Sequence, residues 1–164
     1  MTPKAARQKG ARWEKEVARL LGEWYYKDPT SLYRTAGSGT LHGRADQVGD
    51  IGVARSGLGP FVFSVECKHV EKWDIGDVLT RGESSLLISF WKQCRRSAGG
   101  GKIPLLLLKQ NHKPVLAGLQ RQDHMQVVNS KSRIDIRGYD LTLFLLAGLF
   151  RTNPRDWVAR WGRL

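Results

Sequence analysis

The six residues Ile103-Pro104-Leu105-Leu106-Leu107-Leu108 carry no polar side chain and are too few for most helices. A segment that is apolar on both faces has to be covered on both sides, which makes it a central strand between two layers. Val115-Leu116-Ala117 is expected to pair beside it. The covering layers are visible as helical periodicity. Behind Thr2-Pro3, an N-cap and first-turn pair, Trp13, Val17, Leu20, Leu21 and Trp24 recur at the spacing of a long amphipathic helix. Leu86, Leu87, Phe90, Trp91 and Cys94 predict a second helix, ended by Gly99-Gly100-Gly101. The expected fold class is therefore α/β, a mixed central β-sheet flanked by helices.

Strand patterns also cover residues 31–35, 48–54 and 61–68, and the glycines of Ala36-Gly37-Ser38-Gly39-Thr40 predict a mobile polar loop after the first. Arg55-Ser56-Gly57-Leu58-Gly59-Pro60 reads as the turn of a hairpin joining the other two. On the strand 61–68, Glu66 and Lys68 share one face. Residues 141–150 form the longest apolar run, about half of the ~20 residues that span a bilayer, and predict a buried helix capped by Asp140. Residues 121–138 are polar with little periodicity, and Asn153-Pro154 starts a final helix carrying Trp157 and Trp161.

The 164 residues suit one domain with its own core. Their net charge of +12 directs attention to a polyanionic partner, with nucleic acid first. Lys4, Arg7, Lys9, Arg12, Arg34, Arg95 and Arg96 are the candidate DNA-binding residues, although those on the first helix also fit a solvated face. Cys67 and Cys94 are the only cysteines and lie in no ligand cluster, and the four histidines lack ligand spacing. The basic N-terminal segment lacks the apolar stretch of a signal peptide, so the expected location is the cytoplasm, away from membranes.

Folding back through residues 55–60 would bring Asp50, Glu66 and Lys68 into one small volume. Two carboxylates at close range repel unless a cation intervenes, and an oxygen-seeking ion such as Mg²⁺ is the usual solution. Such an ion beside a phosphodiester, with Lys68 to orient water or offset developing charge, points to hydrolysis. From local pattern alone the same residues also fit an edge hairpin with a surface Glu–Lys pair.

Asp50 followed by Glu66-Cys67-Lys68 resembles the D…ExK signature of the PD-(D/E)XK nuclease superfamily, with Gly49 in place of the usual proline. Lys9 to Glu16, Arg34-Thr35-Ala36-Gly37-Ser38 and Gly101-Lys102-Ile103-Pro104-Leu105 resemble, in order, elements of archaeal-type Holliday-junction resolvases, over about residues 9 to 109. The resemblance implies a restriction-endonuclease-like core with extra C-terminal helices. It implies Glu14, Ser38, Asp50, Glu66 and Lys68 as catalytic residues, and Glu14, Asp50, Glu66 and the backbone carbonyl of Cys67 as ligands of Mg²⁺, with Mn²⁺ able to substitute. It further implies a homodimer acting on a four-way DNA junction, and it leaves room for a phage origin, in which case the location is the host cytoplasm. A shifted alignment would make Asp46 the ligand, but the strand pattern after Asp50 favours Asp50. Glu16 is a weaker rival to Glu14. Gln93 is a minor candidate, with a solvated side chain favoured. On this reading residues 4–118 are the core and 119–164 an extension, serving either assembly or the monomer core.

Overall fold

The computed structural model describes residues 2–35, 49–99 and 101–162. Thr2 Oγ accepts the backbone N–H of Ala5 at 3.3 Å and starts α1 (Pro3–Tyr26), which ends where Lys27 turns left-handed at φ 59°. Trp13, Val17, Leu21 and Trp24 are its buried stripe, as their spacing predicts. Two short strands, β1 (Leu32–Arg34) and β2 (Ile51–Val53), precede β3 (Phe63–His69), α2 (Gly76–Arg81) and α3 (Leu86–Ala98). Ser85 caps α3 by accepting from the Ile88 amide. The chain continues through β4 (Ile103–Lys109), β5 (Leu116–Leu119) and α4 (Arg121–Asp123), which runs into a π-helical turn at His124–Val128. It closes with β6 (Arg133–Ile136), β7 (Leu141–Leu145), α5 (Leu146–Phe150) and α6 (Pro154–Trp161).

The main sheet has the order β3-β4-β5-β7-β6, with β3 and β4 parallel and the other neighbours antiparallel. A parallel pair needs a crossover, and α2 and α3 supply it. Leu105 and Leu107 enter one core with Trp13, Leu21, Phe63 and Trp157, whereas Leu106 and Leu108 enter the other with Leu87, Trp91 and Leu143. The expected mixed α/β arrangement is thus present, with β4 covered on both faces. Among the described residues no helix is long and apolar enough to cross a membrane.

Three local expectations are corrected. First, the segments around Asp50 and Glu66 do not form a hairpin. β2 pairs antiparallel with β1, Arg34 opposite Ile51, and meets β3 through one parallel bridge, Gly49 to Val65. The connection instead runs past the C-terminal end of α1, where the Tyr25 and Tyr26 hydroxyls donate to the carbonyls of Pro60 and Gly59. Second, residues 141–150 are not one helix. Leu141 and Leu143 face one core and Phe144 the other, a period of two that makes β7 an inner strand between β5 and β6. Asp140 does not cap that run; it is left-handed, and its carboxylate accepts from the Gln120 side chain and the Arg121 amide at the start of α4. Third, the residues beyond Gly118 add strands as well as helices, and α6 buries Trp157 against Phe63 at 5.1 Å between ring centroids.

Trp157 is fully buried, and its indole N–H donates to Thr152 Oγ at 2.8 Å. Trp157→Ala should lower the unfolding free energy by about 3–5 kcal/mol in urea titrations. Leu79→Ala, on a side chain 90% exposed, should change it by no more than ~0.5 kcal/mol.

Candidate active site

The parallel bridge places Gly49 where only glycine fits. Its φ is 89°, and a Cβ would stand 2.6 Å from the Val65 carbonyl oxygen and 2.9 Å from the Val65 nitrogen. The glycine at this point of the D…ExK pattern is therefore a steric requirement of the close approach. The next residue is clamped to the outer edge of β3. The Asp50 amide donates to the Val65 carbonyl at 2.7 Å, and Asp50 Oδ2 accepts the Cys67 amide at 2.8 Å. Asp50 is buried at that edge.

Glu66 and Lys68 leave β3 on the face toward α3, as strand alternation predicts. Glu66 is 2% exposed. Lys68 Nζ lies 2.6 Å from Glu66 Oε1, and Gln93 on α3 completes a triangle: its Nε2 donates to Glu66 at 2.7 Å, and its Oε1 accepts from Lys68 at 3.2 Å. The Lys68 ammonium also sits 5.3 Å from the centre of the Phe90 ring. Gln93 is thus no solvated side chain. The sign in the sequence is its register: Gln93 follows Phe90 by three residues on one helical stripe, and both side chains meet Lys68.

Burial pushes the Glu66 carboxyl above its ordinary range, and the nearby Asp50 carboxylate pushes it further. Lys68 opposes the shift, and the charge of Glu14 adds a smaller upward contribution. Burial and the same carboxylates raise the Cys67 thiol well above its usual value. Cys67 is therefore an inert packing residue on the α1 side of β3, with only its backbone directed to the edge.

Glu14 comes from α1 and forms an ion pair with Arg34 of β1. Glu16 turns away, pairing with Lys109 Nζ at 2.7 Å. α1 and the edge of β3 thus bring Glu14, Asp50 and Glu66 into one neighbourhood, balanced by Arg34 and Lys68. Ser38 and Asp46 lie outside the described residues. Among the described residues no three His, Cys, Asp or Glu side chains converge as a finished metal cage, because Arg34 holds Glu14 and Lys68 holds Glu66. The donor chemistry nevertheless suits a hard divalent cation, since two buried carboxylates repel each other beside a strand edge and all the available donors are oxygens.

Of the basic residues, Lys4, Arg7, Arg12, Arg95 and Arg96 are exposed. Lys9 pairs with Glu71, as Arg34 does with Glu14, so these two cations are partly neutralised. Arg95 and Arg96 line a groove of about 610 Å³ with Lys92 and Lys102. His69 leaves β3 on the opposite side from Lys68, with its ring edge-on to Trp13.

Residues 5–158 match the family described as "Phage putative PDDEXK endonuclease". No curated protein and no solved structure matches the chain. With nearly the whole chain inside the match, and with Asp50 set beside Glu66 and Lys68 on one strand edge, the protein belongs to this phage family of PDDEXK endonucleases.

Proposed function

We propose that the protein is a divalent-metal-dependent DNA endonuclease that cuts four-way junctions by paired phosphodiester hydrolysis, working as a homodimer in a phage-infected cell. The observation that carries the hydrolytic part is the Asp50 carboxylate locked to the β3 edge beside the buried Glu66–Lys68 pair. The junction preference rests on the resemblance of residues 9–16, 34–38 and 101–105 to resolvase elements.

Asp50 and Glu66, with the Cys67 carbonyl and Glu14, would hold Mg²⁺ or Mn²⁺. When bound, the ion supplies Lewis-acid polarisation of the scissile phosphate and a lower pKa for water at the site. The chain's own residues do the remaining work. The Cys67 amide keeps the Asp50 carboxylate in one orientation, so no reorganisation is needed when substrate arrives. Gln93 fixes Lys68 and Glu66 relative to each other. The Lys68 ammonium is placed to orient the attacking water or to offset charge on the phosphate. Arg34, now paired with Glu14, would be free to contact the DNA backbone if Glu14 ligated the cation, and the resemblance to resolvases gives Ser38 a part in cleavage. Lys4, Arg7, Lys9, Arg12, Arg95 and Arg96 contact phosphates without reading bases, leaving selectivity to the shape of the branched DNA.

Asp50→Asn and Glu66→Gln should each abolish Mg²⁺-dependent cleavage while preserving junction binding in a metal-free gel shift. Full activity in either variant would refute the assignment. Because Asp50 repels the ionised Glu66, Asp50→Asn should also raise the metal-free melting temperature. The pH signs are opposite for rate and stability. Glu66 without metal holds its proton to higher pH than an ordinary glutamate, so at subsaturating Mg²⁺ the proton competes with the ion and the cleavage rate should fall on acidification. Metal-free stability should rise as pH drops through the folded-state pKa of Glu66 and level off below its unfolded value.

A four-way junction should be cut faster than a duplex built from the same arm sequences, and the cuts should be symmetrically placed. Equal rates on the two substrates would instead assign the protein to nucleases of linear DNA. Intact strands with Mg²⁺ or Mn²⁺, at protein concentrations that shift all the DNA, would leave a DNA-binding protein without turnover.

A further inference from the structure

A second feature lies on the other side of β3 from Lys68. The first half of α1 and the ends of β3 and β4 enclose a groove of about 530 Å³ lined in part by Arg12, Trp13, His69, Lys109 and Asn111. Two cations at this groove already have carboxylates: Lys109 is held by Glu16 and stacks 4.6 Å over the Trp13 ring, and Lys9 is held by Glu71. Three donors do not. Arg12 is exposed and has no carboxylate partner among the described residues. The Trp13 indole N–H is buried without an acceptor, on a residue only 2% exposed. Asn111 is exposed and uses its side-chain oxygen on His69 Nε2 at 3.0 Å, which leaves its amide N–H₂ without a protein partner among the described residues.

A buried N–H without an acceptor is costly, and native structures keep few of them. Unmatched donors gathered beside unneutralised positive charge call for an anion with several acceptor oxygens, and a phosphate has them. The position suits a nucleic-acid phosphate. Trp13 directly precedes Glu14, and His69 directly follows Lys68 and pairs in register with Lys109. His69 is three residues beyond Glu66, about 10 Å along a strand, which is too far for the scissile bond and within reach of a neighbouring nucleotide.

We propose that this groove is a phosphate subsite that seats a backbone phosphate near the cleaved one, with Arg12, the Trp13 indole N–H and the Asn111 amide as its donors. The proposal deepens the reading of the chain as a DNA endonuclease and depends on it. The subsite is a positioning device. It fixes the register of the strand so that the scissile phosphate meets Asp50, Glu66 and Lys68.

The experiment is fluorescence anisotropy of the full chain, without metal, on junctions carrying a neutral methylphosphonate at one backbone position at a time. Wild-type protein should lose roughly tenfold in affinity at one position flanking the cut, the scale of one charge-assisted contact. The Arg12→Gln/Asn111→Ala double variant should bind unmodified DNA roughly tenfold more weakly. Its log–log salt slope should be shallower by about one, and it should no longer respond to that methylphosphonate, whereas Arg12→Lys should retain most of the response. A double variant with the wild-type methylphosphonate profile and salt slope would overturn the proposal. A Trp13 indole resonance that shifts with inorganic phosphate but not with junction DNA would also overturn it, making the groove a free-phosphate site. Failure of the nuclease reading is separable, because it would appear as no Mg²⁺-dependent cleavage by the wild-type chain, whatever the metal-free binding profile.

Discussion

The site depends on one contact between backbone and carboxylate: Asp50 hung on the outer edge of β3, its amide on the Val65 carbonyl and its side chain on the Cys67 amide. An edge strand has spare N–H and C=O groups, and this chain uses them to fix a catalytic candidate in place of another strand. Gly49 makes the approach possible, because a side chain there would collide with Val65. Placing Asp50 beside Glu66 then buries two carboxylates together, an unfavourable arrangement without a compensating cation. Lys68, Gln93 and the Arg34–Glu14 pair show how the protein partly offsets that repulsion.

Much of this was legible in the residues. The apolar run at 103–108 implied a strand covered on both faces, and Leu105 and Leu107 do face away from Leu106 and Leu108. Alternation along 61–68 puts Glu66 and Lys68 on one face, and the apolar spacing of α1 marks its buried side. Long-range pairing decides the elements that local pattern leaves open. Residues 141–150 are apolar except for Thr142, so local pattern does not separate a buried helix from an inner strand. Pairing with β5 and β6, including Thr142 Oγ donating to Asp135 at 2.8 Å, decided for the strand. The hairpin expectation failed for a similar reason. A glycine-rich connection says that the chain turns, and leaves open which strand receives it.

Contacts distant in sequence were the least visible. Residues 121–138 read as an unpatterned polar stretch, yet Asp123 is buried in an ion pair with Arg160 at 2.8 Å, which ties α4 to α6. Burial raises the Asp123 carboxyl despite the opposing pull of Arg160, and lowers the adjacent His124. Nothing in the spacing of 123 and 160 announces the pair. Gln93 shows the intermediate case: its helix and stripe were readable, but its bonds to Glu66 and Lys68 needed the crossover that lays α3 against β3. The groove at Arg12, Trp13 and Asn111 likewise draws on three elements, of which only the α1 cations stood out in the sequence.

The central claim is that Asp50 and Glu66 share one divalent ion at the β3 edge. The most direct measurement is a crystal soaked in Mn²⁺, with anomalous scattering used to locate the metal. The account predicts a peak touching the carboxylates of Asp50 and Glu66 and the Cys67 carbonyl. An empty edge, with the Asp50 and Glu66 side chains facing apart, would contradict it.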